Sequence, residues 1–448
     1  MHFFRYRDDR LYCEDVDLTR VAAELGTPTY VYSAGTILDH YRRLDAALAP
    51  LDHLICYAVK ANSNRAILKL LVGAGAGFDI VSGGELFRVL AAGGDPAKCT
   101  FAGVGKSVDE IEYALERGVH SFNVESETEL EAIERIATAK KMRAPIALRI
   151  NPDVDPHTHQ YISTGSQENK FGIPLNDATA IYERAAAMHN VEIVGVQMHI
   201  GSQITEAKPF ASAIEKVAPL VRELKAKYAI KFFSIGGGMG IIYRGALESG
   251  SGKWWRDHGP ASAESAFSVR NYAEAIVPPL RDLGIRILVE PGRFLTGNAG
   301  VLLTRVRYIK QTANKKFAIV DAGMNDLIRP ALYQSYHQIV PCRASAAADA
   351  DPSTSMSVST SKSWEKIDIV GPVCESGDFF ALDREMPEVR EGDLLAIMSA
   401  GAYGFVMASN YNSRSLPAEA LVRGDKVALI RRRQTREDVV RDEVDADC

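Results

Sequence analysis

The chain reads as an α/β protein, a (β/α)8 TIM barrel followed by an all-β domain of sandwich or barrel type. Three observations predict this. Eight short apolar runs alternate with helical patterns over roughly 250 residues, the length such a barrel needs. Polar or glycine-rich residues follow nearly every run. Beyond about residue 295 the helical spacing stops, and short apolar runs punctuated by Gly and Pro take over.

The strand candidates are 54–59, 77–81, 100–102, 121–124, 146–150, 193–199, 232–235 and 286–289. The first, Leu54-Ile55-Cys56-Tyr57-Ala58-Val59, is short and mostly apolar, as a strand buried on both faces must be. Apolar residues at helical spacing predict helices at 65–71, 84–92, 108–117, 127–140, 178–189, 209–227 and 269–283. A doubly wound open sheet is the alternative, but no single switch point gathers the polar residues. The β-domain runs are 301–309, 317–321, 366–370, 393–397 and 426–430. Residues 1–33 carry a short helix near 18–25 and a strand at 29–32 but do not begin the alternation. They are expected to join the sheet of the second domain. The domain assignment is therefore 34–290 for the barrel and 1–33 with 291–448 for the β domain. Residues 343–363, rich in Ala, Ser, Asp and Thr, predict a mobile or disordered insert. Arg431-Arg432-Arg433 reads as a solvated basic face.

Composition narrows the function classes. Of 448 residues, 46% are hydrophobic and 24% charged, as in soluble globular proteins. A net charge of -5 argues against nucleic acid or an acidic membrane as partner. No apolar run reaches the roughly 18 residues of a membrane span, and Met1-His2-Phe3-Phe4-Arg5 lacks a signal-peptide core. The six cysteines form no CxxC pair, so neither a zinc site nor a disulfide framework is expected, and the cytoplasm is the natural compartment. His157 and His159 have metal-like spacing without suitably spaced partners, so no metal is expected.

A barrel gathers the residues at its strand ends into one mouth. Lys60 follows the first strand, and Asp79, Ser82 and Glu85 the second. Asn123 and Glu125 close the fourth, Arg149 and Asn151 the fifth. His199, Ser202 and Gln203 follow the sixth, Gly236, Gly237 and Gly238 the seventh, and Glu290, Pro291, Gly292 and Arg293 the eighth. A partly desolvated lysine loses its proton readily and forms a Schiff base, although a lysine there can also simply snorkel. The glycine triplet is either a tight loop or a nest of backbone N–H groups for an anion. Loops seven and eight are the usual phosphate site of such barrels. Glu290 needs a cationic partner, which is either Arg293 or a protonated ring nitrogen such as that of pyridoxal phosphate. His199 is placed to stack on a planar ring. Downstream, Arg329 and Tyr333 stand four apart, Pro372 to Asp378 is a polar loop holding Cys374 and Glu375, and Tyr403 is flanked by glycines.

These stretches together resemble the diaminopimelate decarboxylases, pyridoxal phosphate enzymes of the alanine-racemase-like fold type. The matching pieces run from Tyr57-Ala58-Val59-Lys60-Ala61-Asn62 to Tyr403 in family order, over nearly the whole chain. The resemblance implies Lys60 as the Schiff-base lysine, His199 stacked on the cofactor and Glu290 on its pyridine nitrogen. It implies Asp79, Ser202, Gly236, Gly237, Gly238, Pro291, Gly292, Arg293 and Tyr403 around the cofactor. Arg293, Arg329, Tyr333, Glu375 and Tyr403 would hold the far end of the substrate. Cys374 would be the proton donor, reaching in from the partner subunit of a homodimer with shared active sites. The insert at 343–363 departs from the family pattern. The implied reaction is decarboxylation of meso-diaminopimelate to L-lysine. The rivals are a same-fold decarboxylase of ornithine, arginine or carboxynorspermidine, and a non-catalytic homologue.

Overall fold

The computed structural model describes residues 2–155, 170–251, 268–344 and 364–446. The chain forms two compact units, one of residues Leu38–Ile241 with Glu264–Leu295, the other of Met1–Ile37, Ile242–Ala263 and Thr296–Cys448.

The first unit is a closed parallel barrel. Its strands, in chain order, are His53–Ala58, Gly77–Ile80, Cys99–Phe101, Ser121–Val124, Ala144–Asn151, Val191–Met198, Phe232–Ser234 and Arg286–Val289. Each pairs in parallel with its neighbours, and the pairing of Arg286–Val289 with His53–Ala58 closes the ring. Phe78, Phe101, Phe122, Ile146, Leu148, Phe233 and Ile287 are wholly buried. Each such aromatic or aliphatic side chain stabilises the fold by about 1.5–3 kcal/mol. Several of the helices between strands start on side-chain caps. Ser82, Ser107 and Ser126 accept from backbone N–H groups three residues on, and Ser107 with Glu110 completes a capping box. The expected strands are present within two residues at each end. The first stops at Ala58, and Val59–Ala61 forms a single 3-10 turn, so Lys60 sits on that turn at the carboxyl end of the barrel.

The second unit is built on the twelve-residue strand Gly300–Gln311. It pairs antiparallel with Thr29–Ser33, Leu394–Ile397 and Lys316–Val320. Thr29–Ser33 is buried along its whole length and also pairs in parallel with Ala418–Arg423. Of the N-terminal segment, Thr29–Ser33 joins this sheet, as expected, whereas Phe4–Arg7, Arg10–Cys13 and Val16–Asp17 pair with one another in a separate three-stranded sheet. Strands Phe379–Pro387, Ala418–Arg423 and Ile339–Pro341 escaped the sequence reading. Ala418–Arg423 reads Ala-Glu-Ala-Leu-Val-Arg, a helix-favouring composition, and tertiary pairing overrides it.

Two expectations need correction. The arginine triplet is not a solvated face. Arg431 donates from Nε to the fully buried Glu419 at 2.5 Å, and Arg433 donates from Nη2 to the Pro28 carbonyl at 2.7 Å. Only Arg432 is exposed, paired with Asp438. The stretch after the seventh barrel strand, assigned above to the barrel, packs with the sheet unit. There the Leu247 N–H donates to Gln338 Oε1 at 2.8 Å, and the ring of Tyr243 meets His337 edge-on at 5.2 Å. The insert from residue 345 to 363, with His157 and His159, lies outside the described residues.

Candidate active site

At the carboxyl end of the barrel, Lys60 Nζ donates to Asp79 Oδ2 at 2.6 Å. The lysine side chain is 40% exposed and the aspartate only 2%. Asp79 Oδ1 is buried without a hydrogen-bond partner among the described residues. A buried, half-satisfied carboxylate is costly unless something completes its shell. Here it holds the amine of Lys60, which sits on the turn Val59–Ala61.

Glu290 follows the eighth strand and is buried. Ser234 donates its hydroxyl to Oε1 at 2.6 Å, and Gln197 donates its amide to Oε2 at 3.0 Å. Both partners lie on neighbouring barrel strands and were missed in the sequence. Their only signal was a polar residue breaking an apolar run. Burial, then the charge of Asp79, push the Glu290 carboxyl up to about 7. A cation beside such a group favours its ionised form.

His199 lies beside the glycine loop. The Gly237 N–H donates to its Nδ1 at 3.2 Å, which leaves the proton on Nε2. Desolvation, then Arg149 and Lys60, hold its conjugate acid well below the ordinary range, so the ring is neutral. A neutral flat ring is suited to stacking. The glycine triplet is required by close approach. A Cβ on Gly236 would collide with the Met198 carbonyl oxygen, and one on Gly237 with that of Glu290. Gly236 and Gly238 also have φ of +72° and +109°. The Gly236 N–H donates to Ser234 Oγ at 3.3 Å, so with the Gly237 bond two of the three N–H groups already have partners inside the protein. Arg293 is buried on the short helix Arg293–Thr296, and its Nη2 donates to Ser202 Oγ at 3.0 Å. The Pro291 carbonyl accepts from Ala58 N–H at 3.1 Å and ties the eighth loop to the strand that carries Lys60.

The sheet unit carries the remaining candidates. Arg329 and Tyr333 open and close one five-residue helix. Arg329 is buried, donating to Tyr243 Oη at 2.5 Å and Ser335 Oγ at 3.2 Å. Among the described residues Arg329 donates to these two hydroxyls and makes no ion pair with a carboxylate. Cys374 and Glu375 stand exposed on a loop pinned by Asp378, whose carboxylate accepts from Val373 N–H at 2.7 Å and Met324 N–H at 2.6 Å. Tyr411 donates its hydroxyl to Glu375 Oε1 at 2.5 Å. Tyr403 is half-buried with φ +56°, between glycines whose Cβ atoms would strike backbone.

The barrel-mouth groups suit one kind of cofactor. An amine beside an unsatisfied carboxylate fits a carbonyl carbon that condenses with it. A buried acid awaiting a cation fits a basic ring nitrogen. A neutral imidazole fits a flat ring, and a buried arginine with a serine fits a phosphate. Comparison with known proteins agrees with this donor set. Residues 34–297 match the model of the pyridoxal-dependent decarboxylase, pyridoxal binding domain. The diaminopimelate decarboxylase of Pseudomonas aeruginosa is 50% identical over 436 residues, 97% of both chains. The crystal structure of diaminopimelate decarboxylase from Helicobacter pylori complexed with L-lysine is 39% identical, with a TM-score of 0.83, covering 95% of this chain and 98% of that one. That of M. jannaschii in co-complex with L-lysine is 35% identical, with a TM-score of 0.86, covering 99% and 98%.

Proposed function

The chain belongs to the diaminopimelate decarboxylases, pyridoxal-dependent enzymes, and from that premise we propose how its own residues carry the reaction. The reaction is loss of CO2 from meso-diaminopimelate to give L-lysine. One observation carries the substrate reading at the level of residues. Arg329 is a buried guanidinium whose side-chain partners among the described residues are hydroxyls. A buried cation without an acid calls for an anion, and guanidinium pairs with carboxylate in bidentate fashion. Ornithine and arginine have no second amino-acid end to supply it.

Bound pyridoxal phosphate supplies an electron sink for the pair released when the carboxylate departs. Lys60 is the amine that holds the cofactor, and Asp79 keeps that amine in place. Glu290, oriented by Ser234 and Gln197, holds a ring nitrogen and favours its protonated form. His199 presents a neutral face to the ring. Ser202, Arg293 and the loops of Gly236, Gly237, Gly238, Pro291 and Gly292 surround the phosphate, with Tyr403. Arg329, Tyr333 and Glu375 take the distal amino-acid end of the substrate. Cys374 delivers a proton to the reacting carbon.

Cys374 and Glu375 are exposed in the single chain. A proton donor open to water works poorly, because water competes for the reacting centre. This supports a homodimer in which a second copy covers Cys374. The described cysteines are all free, and no described helix is long and apolar enough to cross a membrane, which supports a cytoplasmic enzyme.

The test is CO2 release from meso-diaminopimelate with added pyridoxal phosphate, beside ornithine and arginine, with Lys60→Ala as control. Release from diaminopimelate alone, lost in the control, is expected. Release from ornithine or arginine at comparable rates would overturn the role of Arg329.

A further inference from the structure

We infer that Tyr243 is a specificity-determining positioning residue, which aims Arg329 at a carboxylate while leaving its charge uncompensated. The inference rests on the proposed role of Arg329 and extends it.

Arg329 is 6% exposed, so its guanidinium cannot rely on water for orientation. Its Nη1 donates to Tyr243 Oη at 2.5 Å, and its carbon lies 5.0 Å from the centre of the same ring. Ser335 Oγ accepts from Nη2 at 3.2 Å. These contacts fix the plane of the guanidinium, and both acceptors are neutral. An aspartate or glutamate in place of Tyr243 would orient the group equally well but would pair with its charge. A tyrosine orients without neutralising, so the full charge stays available to a ligand.

Tyr243 is itself held. His337 meets its ring edge-on at 5.2 Å, and the fully buried His337 is anchored by Nδ1 to the Met398 carbonyl at 2.8 Å. The residues around Tyr243 are pinned on both sides. The Ile242 carbonyl accepts from Asn298 Nδ2 at 2.9 Å, and the Arg244 guanidinium lies 4.2 Å over the Tyr336 ring. The departure of residues 242–251 from the barrel pattern thus has a consequence for the site, because it brings Tyr243 to Arg329. No motif marks this residue in the sequence. It lies in a loop 86 positions from its partner.

L-Lysine and cadaverine differ only in the carboxylate. Their dissociation constants, measured by calorimetry on the holoenzyme, isolate the carboxylate contact. In Tyr243→Phe the ring stays and the acceptor goes. L-Lysine binding should weaken about tenfold, the value of one hydrogen bond to a charged group. Cadaverine binding should change less than about twofold. The KM for diaminopimelate should rise in parallel while kcat holds, since the contact is the same in ground and transition states. Ser335→Ala, which leaves Tyr243 untouched, should show the same selectivity at smaller size. Arg329→Met separates the two claims. If it weakens L-lysine and cadaverine equally, the role of Arg329 itself falls. If it weakens L-lysine alone while Tyr243→Phe and Ser335→Ala weaken neither, the Arg329 reading stands and the inference about Tyr243 is overturned.

Discussion

Replacing Glu290 by Gln should make the cofactor-free protein more stable at pH 8 while disabling it. Glu290 is 5% exposed, and burial with the nearby Asp79 charge pushes its carboxyl from 4.5 up to about 7. Between those values the folded chain keeps a proton that the unfolded chain has released. The folded state binds more protons, so stability falls as pH rises through that window. At about 1.36 kcal/mol per unit, the ionised carboxylate costs on the order of 3 kcal/mol at pH 8 and about 1 kcal/mol near pH 5. Glutamine keeps the shape and removes that cost. Ser234 can still donate to the amide oxygen, and Gln197 can turn to offer its Oε1, which lacks a hydrogen-bond partner among the described residues. An unfolding entropy of about 2.1 cal/mol/K per residue converts 3 kcal/mol over 448 residues into a rise of about 3 °C in Tm. Scanning calorimetry of the cofactor-free variant and parent at pH 8 and pH 5 measures it. Decarboxylation should fall by about 100- to 1000-fold, as when one preorganised electrostatic contact is removed. A variant no more stable than the parent at pH 8, or a difference that does not shrink towards pH 5, would refute the reasoning.

Lys60→Ala should abolish CO2 release, and borohydride should no longer fix the cofactor to the chain, as mass spectrometry of the intact protein would report. Arg329→Lys should raise KM for diaminopimelate by about tenfold or more, because an ammonium cannot pair with carboxylate in the planar two-point manner of guanidinium. Near-normal kinetics in that variant would count against the assignment. Asp378→Ala should loosen the Cys374 loop by removing the acceptor for Val373 and Met324, costing about 1–3 kcal/mol and speeding alkylation of nearby backbone-coupled Cys374. Unchanged melting and unchanged thiol reactivity would show that the loop holds its shape by other means.

Much was legible in the sequence, because local rules governed it. Barrel strands are short and buried on both faces, so their apolar runs and the polar residues ending them stand out whatever the fold around them. Lys60, Asp79, His199 and Glu290 stood out as candidates because each is a polar, reactive side chain at or near the end of such a run. The helices 108–117 and 127–140 were readable to the residue from their apolar spacing, and the structure shows Ser107 and Ser126 capping their starts. Tertiary structure alone decided which groups meet. Gln197 and Ser234 bind Glu290 because adjacent parallel strands bring them into register, and nothing within either strand encodes the partner. The strand Ala418–Arg423 exists because Thr29–Ser33 pairs with it, against its own helical preference. Arg431 is drawn inwards by Glu419 across a hairpin, and Arg433 by the Pro28 carbonyl far along the chain. Tyr243 reaches Arg329 for the same reason. Sequence determines the chemistry each position can offer. Contacts between distant positions depend on packing that minimises unpaired buried polar groups across the whole chain, a global condition that no window of residues carries.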